Sequence, residues 1–326
     1  MSITNNFKAA WWLPGRHLQT LWPTLRRVKN KVALRRERVE LADGDFVDLD
    51  WTLQQTGPIV LILHGLEGSA NSPYVQGLLK SFTQQGWRGV VLHFRGCSGE
   101  HNRLPRAYHS GDTADVAAVI ALIRAREPQT TLAAVGVSLG GNVLLKWLGE
   151  TAADNPLTAA VAISVPFDLS QSVDYLQQGF SRFYDFHLLS SMQKKFNRKF
   201  SKGDAPPALP KFTTLKNIRE FDDKVTAPLH GFIDANDYYQ RASCRQFLPF
   251  IKVPTLIINA LNDPFVPVAV IPAPSELSAD ITLEITRQGG HVGFISGMLP
   301  WQPVYWLDDK VTHYLSDSFT KEGSRR

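Results

Sequence analysis

The sequence predicts an α/β fold: a mainly parallel, eight-stranded sheet flanked by helices, with a helical lid inserted late in the chain. Three observations point there. Short apolar runs alternate with helical periodicity through most of the sequence, and right-handed crossovers fold that rhythm into a parallel sheet. One run, residues 132–137, passes through Gly136-Val-Ser-Leu-Gly140 straight into a helical pattern. An aspartate and then a histidine follow the last two strand-like runs.

Taken in order, the N-terminal arm (1–35) is rich in aromatics, with Trp11, Trp12 and Trp22 beside Leu13, Leu18 and Leu21. Such an arm must pack on its own domain, a partner or a membrane interface, and its own domain is the expectation. His17 has no carboxylate nearby in sequence and is expected to be structural. Residues 36–41 and 46–51 alternate around Asp43-Gly44, the signature of a hairpin that begins the sheet antiparallel. The runs at 58–63 and 89–94 are continuously apolar, as strands covered on both faces are, and a helix over 74–84 separates them. A helix over 112–126, apolar at Val116, Val119, Ile120 and Ile123, leads to the 132–137 strand, and 159–164 gives another. The rhythm then stops. Residues 167–250 carry helical patterning, many aromatics and breaks at Pro206, Pro207 and Pro210, which reads as a helical lid over the carboxyl edge of the sheet. Strands return at 255–259 and 281–286, and a helix over 305–319 closes the chain. The whole of 1–326 is expected to form a single domain.

Composition narrows the class. Of 326 residues, 44% are hydrophobic and 20% charged, ordinary for a soluble globular protein. Two cysteines, Cys97 and Cys244, are too few for a disulfide framework and fit a reducing, cytoplasmic setting. The net charge of +5 is local: Arg26, Arg27, Lys29, Lys31, Arg35, Arg36 and Arg38 crowd one stretch, and Lys194, Lys195, Arg198, Lys199 and Lys202 another. No nucleic-acid motif accompanies them. A solvated face, with weak affinity for anionic membrane surfaces or acyl substrates, is the expectation. No run reaches the roughly 20 apolar residues of a membrane span, and residues 1–8 lack a signal-peptide pattern. No obligate protein partner is expected.

The chemistry gathers at three places. A serine in G-x-S-x-G between strand and helix sits on a sharp turn that exposes its hydroxyl at a helix N-terminus, where developing negative charge is favoured. A chance match competes for the bare pattern, but the flanking strand and helix make Ser138 the candidate nucleophile. A serine hydroxyl needs a base, and the base an orienting acid. Asp263 follows the 255–259 strand and His291 the 281–286 strand, both at carboxyl ends. Asp-Pro also forms turns, so a turn role competes for Asp263. Asp234 and Asp237 are rivals inside the insertion, and His230 and His313 rival His291 without following a core strand. An oxyanion hole requires two N–H donors. The residue after the nucleophile, Leu139, supplies one, and Leu66, in the turn after 58–63, the other. His64 there is expected to shape the loop. His93, His101 and His109 recur every eight residues, unlike known ligand spacings, so neither a metal nor a cofactor is expected.

These residues carry a resemblance. The chain resembles the α/β-hydrolase superfamily, and within it the AB-hydrolase-4 branch, through Gly15-Arg-His-Leu-Gln-Thr20, His64-Gly-Leu-Glu-Gly68, Phe94-Arg-Gly-Cys97, Gly136-Val-Ser-Leu-Gly-Gly141, Glu220-Phe-Asp222, Tyr238-Tyr239, Asn262-Asp-Pro-Phe265 and Gly290-His-Val-Gly293. The resemblance implies the α/β-hydrolase fold and the triad Ser138, Asp263 and His291. It also implies action on carboxylic esters: yeast members make and cleave medium-chain fatty-acid ethyl esters, and some animal members act on phospholipids or acylglycerols. Many eukaryotic members carry an N-terminal membrane anchor, a pattern the first residues here do not show. The oxyanion turn departs from the His-Gly-Gly-Gly form of many esterases, since Leu66 follows Gly65.

The expected activity is that of a serine esterase acting on short- to medium-chain acyl esters or lipids. Acyl transfer to an alcohol, or a catalytically idle binding module, are the alternatives. Phe180, Phe183, Tyr184, Phe186 and Phe196 are expected to line an acyl pocket, with packing of the lid as their competing role.

Overall fold

The computed structural model describes residues 7–26, 31–201, 203 and 205–323. Residues 1–6 and the basic residues Arg27, Lys29 and Lys202 lie outside the described residues.

The hairpin forms as its alternation requires. β1 (Leu34–Glu40) pairs antiparallel with β2 (Phe46–Thr52), with Leu34 opposite Thr52 and Glu40 opposite Phe46. β2 then pairs antiparallel with β4 (Arg88–His93). From there the sheet is parallel, through β3 (Ile59–Leu63), β5 (Leu132–Val137), β6 (Ala159–Ile163), β7 (Thr255–Ala260) and β8 (Ile281–Thr286). The strand order is β1-β2-β4-β3-β5-β6-β7-β8.

Every residue of β3 to β7 is buried, which is why these strands read as unbroken apolar runs rather than alternating ones. The two faces still divide by the period of two. Ile59, Leu61 and Leu63 pack with α3 (Ala114–Arg126) and α4 (Leu139–Thr151), while Val60 and Ile62 pack with α2 (Pro73–Gln84) and the closing helix. Each such apolar side chain contributes about 1.5–3 kcal/mol by its burial.

The insertion is helical throughout its ordered elements. α5 (Leu169–Leu176) and α6 (Ser181–Lys199) are followed by α7 (Ile218–Phe221), which runs through one π-turn, Asp222–Thr226, into α8 (Ala227–His230), and then by α9 (Ala235–Ala242). Three of these starts have side-chain caps: Asp168, Asn217 and Asp234 accept from Gln171, Glu220 and Asp237 N–H. The lid buries a core of its own, including Leu189, Met192, Phe196, Phe221 and Tyr239.

The N-terminal arm contains a helix that the sequence pattern hides, α1 (Arg16–Arg26), with Pro23 inside it. Its surroundings are the domain itself. Phe7 packs its ring on Phe294 and Trp306, and Trp12 packs on Trp22. A small sheet of β9 (Ile295–Ser296) and β10 (Val304–Tyr305) lies against the arm, with Ala10 N–H donating to Ile295 O. α10 (Trp306–Gly323) closes the fold. Among the described residues no helix is long and apolar enough to cross a membrane.

The basic clusters are less free than composition suggests. Arg36 pairs with Asp50, and Arg38 with Asp48 and Glu100. Lys195 pairs with Glu67, and Lys199 donates to Asn102 Oδ1 and Arg106 O.

Candidate active site

β5 delivers Ser138 to the first turn of α4 in a left-handed conformation, φ 54° and ψ −118°. A non-glycine residue there is strained, and the flanking glycines show what holds it. A Cβ on Gly136 would stand 2.4 Å from Gly140 O, and one on Gly140 would stand 2.2 Å from Leu63 O. Only bare backbone allows α4 to pass so close to β3 and β5. Ser138 N–H is spent on Ile163 O at 2.8 Å. The next amide, Leu139 N–H, has no acceptor among the described residues, as expected for the first turn of a helix.

His291 and Asp263 arrive from the ends of β8 and β7. His291 Nε2 lies 2.9 Å from Ser138 Oγ, and Nδ1 lies 2.8 Å from Asp263 Oδ2. Asp263 is buried, and its Oδ1 also accepts from Phe265 N–H at 2.7 Å and from Val266 N–H at 3.3 Å. An ionised carboxylate only accepts. With Asp263 in that state, the Nδ1–H tautomer is selected, and Nε2 is left to take the hydroxyl proton. The Phe265 ring lies face to face with the imidazole, 4.0 Å between centroids and 15° between planes.

The turn after β3 stands against the serine: a Cβ on Gly65 would be 3.4 Å from Ser138 Cβ. Its amides are spoken for, with one exception. Gly65 N–H donates to Tyr74 OH, Glu67 N–H to Tyr108 OH and Gly68 N–H to Gly65 O. Leu66 N–H has no acceptor among the described residues. Leu66 and Leu139 both line the cavity that contains Ser138 and His291. Glu67, held at φ 55°, anchors the turn through its ion pair with Lys195 of α6 and its bond from Tyr108 OH.

The rivals are committed to other partners, although His230 also lines the cavity that contains Ser138. Asp234 caps α9, and Asp237 accepts from Ile233 N–H. His230 contacts Thr226 O and Ala107 O, and His313 lies exposed beside Asp317 on α10. His64 is fully buried, and burial pushes its imidazole down to about 3. Its Nδ1–H donates to Gly65 O and its Nε2 accepts from Phe94 N–H, so it welds the ends of β3 and β4. His17 meets Tyr184 OH at 3.1 Å. His93 meets Asp50, and His109 packs on His230. Among the described residues no group of three or more His, Cys, Asp or Glu is placed to hold a metal ion.

A cavity of about 450 Å³ opens over Ser138 and His291, walled on the lid side by apolar groups such as Leu169, Val173, Leu176, Leu188, Met192 and Phe196. The expected aromatic lining is corrected here. Phe180, Phe183 and Phe186 are 53%, 52% and 67% exposed and do not line the cavity. α6 turns Leu188, Ser191, Met192, Lys195 and Phe196 inward, so the rings near its start point away. Tyr184 is buried but packs on Phe265, 4.8 Å between centroids, rather than lining the cavity. The cavity also meets a polar group that sequence reasoning passed over. Asp222, in the π-turn, accepts from Thr226 and Tyr239 hydroxyls at 2.7 Å each, and burial pushes its carboxyl up to about 6. Phe265 and Thr20 were likewise missed as site residues, although both stood in recognisable motifs.

Comparison with known proteins bears on the family and the fold. A family model described as the alpha/beta hydrolase fold matches residues 58–297. The chain is 44% identical over 306 residues to the Escherichia coli (strain K12) protein named "Putative esterase YheT", covering 92% of this chain and 90% of that one. It is 30% identical over 328 residues to the Homo sapiens protein named "Phospholipase ABHD3", covering 97% of this chain and 80% of that one. Among solved structures, the Pyrococcus furiosus esterase Pf2001 superposes with a TM-score of 0.57 at 15% identity, covering 90% of this chain and 96% of that one.

Proposed function

The chain belongs to the α/β hydrolase fold family, and from that premise we propose that it is a serine hydrolase cleaving carboxylic esters through an acyl-Ser138 intermediate. The observation that carries the reading is the unbroken chain Asp263–His291–Ser138, with contacts of 2.8 and 2.9 Å, at the floor of an apolar cavity. Ser138 Oγ attacks the ester carbonyl carbon while His291 Nε2 takes its proton. The carbonyl oxygen becomes an oxyanion facing Leu66 and Leu139 N–H, the two free amides beside the serine. Collapse of that intermediate breaks the carbon–alkoxy bond, and His291 gives the proton to the departing alcohol. Water then repeats the sequence on the acyl-enzyme, releasing the acid and restoring Ser138. Asp263 holds the imidazole and stabilises its charged form throughout.

The cavity's size suits a short to medium acyl chain or part of a lipid, which agrees with the names of the relatives. The same residues would carry the alternative, acyl transfer to an alcohol, where the apolar walls keep water out. That second reading is separated by the ratio of ethyl ester to free acid formed with ethanol present. In this reading residues 167–250 serve as the lid of a single hydrolase domain. Residence in the reducing cytoplasm is part of the proposal, supported by two unpaired thiols, Cys97 and Cys244.

The test is labelling with a fluorophosphonate. Wild-type protein takes up one equivalent at Ser138, and Ser138→Ala takes up none while keeping its circular dichroism. Labelling of the folded variant, or none of the wild type, would sink the proposal, the latter in favour of an idle binding module.

A further inference from the structure

Residues 15–20 take no part in the chemistry above, yet each of their polar side chains is engaged with an element that builds the site. Arg16 Nη1 donates to Tyr175 OH of α5 at 2.6 Å, and His17 Nδ1 meets Tyr184 OH of α6 at 3.1 Å. Gln19, buried, grips one residue from both sides. Its Nε2 donates to Ile295 O at 3.1 Å, and its Oε1 accepts from Ile295 N–H at 2.7 Å. Thr20 commits its hydroxyl proton to Arg16 O at 2.8 Å and accepts the N–H of His291 at 2.9 Å.

The loop these contacts hold has one internal bond, Phe294 N–H to Gly289 O at 2.8 Å, and one to Ser164 Oγ from Val292 N–H at 3.0 Å, but its backbone also needs outside support. Val292 at φ 58° and Phe294 at φ 46° are non-glycine residues in the left-handed region, a conformation that persists only where its surroundings impose it. α1 imposes it at close range: a Cβ on Gly293 would stand 2.2 Å from Gln19 O. The lid reaches the same place from the other side. Ser181 OH donates to Pro264 O at 2.7 Å, and Tyr184 packs on Phe265, whose ring covers the imidazole of His291.

We propose that α1 is the positioning element of the catalytic base. Thr20 fixes the backbone of His291, and Arg16 and His17 tie that hold to the lid helices, so the imidazole is in line with Ser138 only while the lid is seated. Thr20 also lines the cavity, but its hydroxyl is committed to the backbone of Arg16 and His291, so it acts on the reaction through His291 and is a positioning residue. The proposal rests on the reading of His291 as the base. A base displaced by a fraction of an ångström keeps its ability to bind substrate nearby but loses proton transfer.

The experiment uses the full chain with p-nitrophenyl butanoate as probe. It measures kcat, KM and hydrogen exchange at the His291 amide. Thr20→Val keeps the shape of the side chain and removes the acceptor. We expect kcat to fall roughly ten- to hundredfold with KM within about twofold, and the amide to exchange at least about tenfold faster. Thr20→Ser restores both. Tyr184→Phe, which deletes one hydroxyl on the lid side, lowers kcat several-fold, and it remains informative if Thr20→Val does not fold. Unchanged kcat with unchanged exchange in folded Thr20→Val overturns the hold. Faster exchange with unchanged kcat overturns instead the reading of His291 as the base. A loss confined to KM overturns the positioning role.

Discussion

Asp222 is a carboxyl whose ionisation the fold disfavours. Burial raises its carboxyl from an ordinary 3.8 to about 6, despite the two hydroxyls that donate to it. Between those values the folded state binds more protons than the unfolded state, so stability falls as pH rises through that window and the full cost is present above it. The shift corresponds to roughly 3 kcal/mol at most. Asp222→Asn has no such charge to bury. Urea unfolding of both proteins across about pH 4 to 7 should show their stability difference moving toward the variant by up to that amount. A difference independent of pH would rule the account out. This carboxyl stood in the Glu220-Phe-Asp222 motif, but its burial was not legible there, since its partner Tyr239 lies 17 residues away. Ser138, Asp263 and His291 were legible for the opposite reason. Ser138 and Asp263 follow strands with continuous apolar runs, His291 follows the alternating strand β8, and the fold needs them in that order. Thr20 was not, since its partner His291 lies 271 residues away.

At the scale of elements, α6 supplies much of the cavity wall on the lid side. Its inward face lines the cavity with Leu188, Ser191 and Met192, and its outward face carries Phe183 and Phe186. A sequence dense in phenylalanine reads as a pocket. The helical phase, set by which side meets the lid core, sends those rings to solvent instead. An acyl chain buried along the inward face gains about 0.8 kcal/mol per CH₂, roughly fourfold in apparent affinity per carbon until the cavity ends. Activity on p-nitrophenyl esters should therefore rise from acetate toward longer chains. Ser191→Trp, which fills part of the cavity, should move the optimum to shorter chains, whereas Phe183→Ala and Phe186→Ala should leave the profile where it was. Best activity on acetate in the wild type, or a profile reshaped by Phe183→Ala, would contradict this division of the helix. The turn after β3 obeys similar logic. Its one free amide, at Leu66, exists because Tyr74, Tyr108 and the Glu67–Lys195 pair occupy or brace the others.

For the whole molecule, the strands and their alternation were legible because coverage on both faces writes continuous apolar runs into β3 to β7. That the hairpin opens the sheet antiparallel was legible as well; the ion pairs that brace it against the parallel body were not, because they join distant segments. Arg95, at the end of β4 and buried, donates to both Asp115 oxygens at 2.8 and 2.7 Å, to Asp43 at 2.7 Å and to Asp45 at 3.1 Å. Asn102 adds a bond to Asp45 at 2.7 Å. One guanidinium thus joins the β1–β2 turn, the sheet and α3. Such a buried group gives little net stability over an apolar substitute, but breaking it leaves carboxylates buried without a counter-charge. Arg95→Met should accordingly lower unfolding stability by about 3–5 kcal/mol, a large fraction of the roughly 5–15 kcal/mol that folded domains possess. Because the loss comes from stranded Asp45 and Asp115, Arg95→Met combined with Asp115→Leu should recover part of it. Urea melts of the single and double variants at neutral pH measure both steps. A single-variant loss below about 1 kcal/mol would mean that water reaches these carboxylates and that the hairpin is held by its β2–β4 pairing alone.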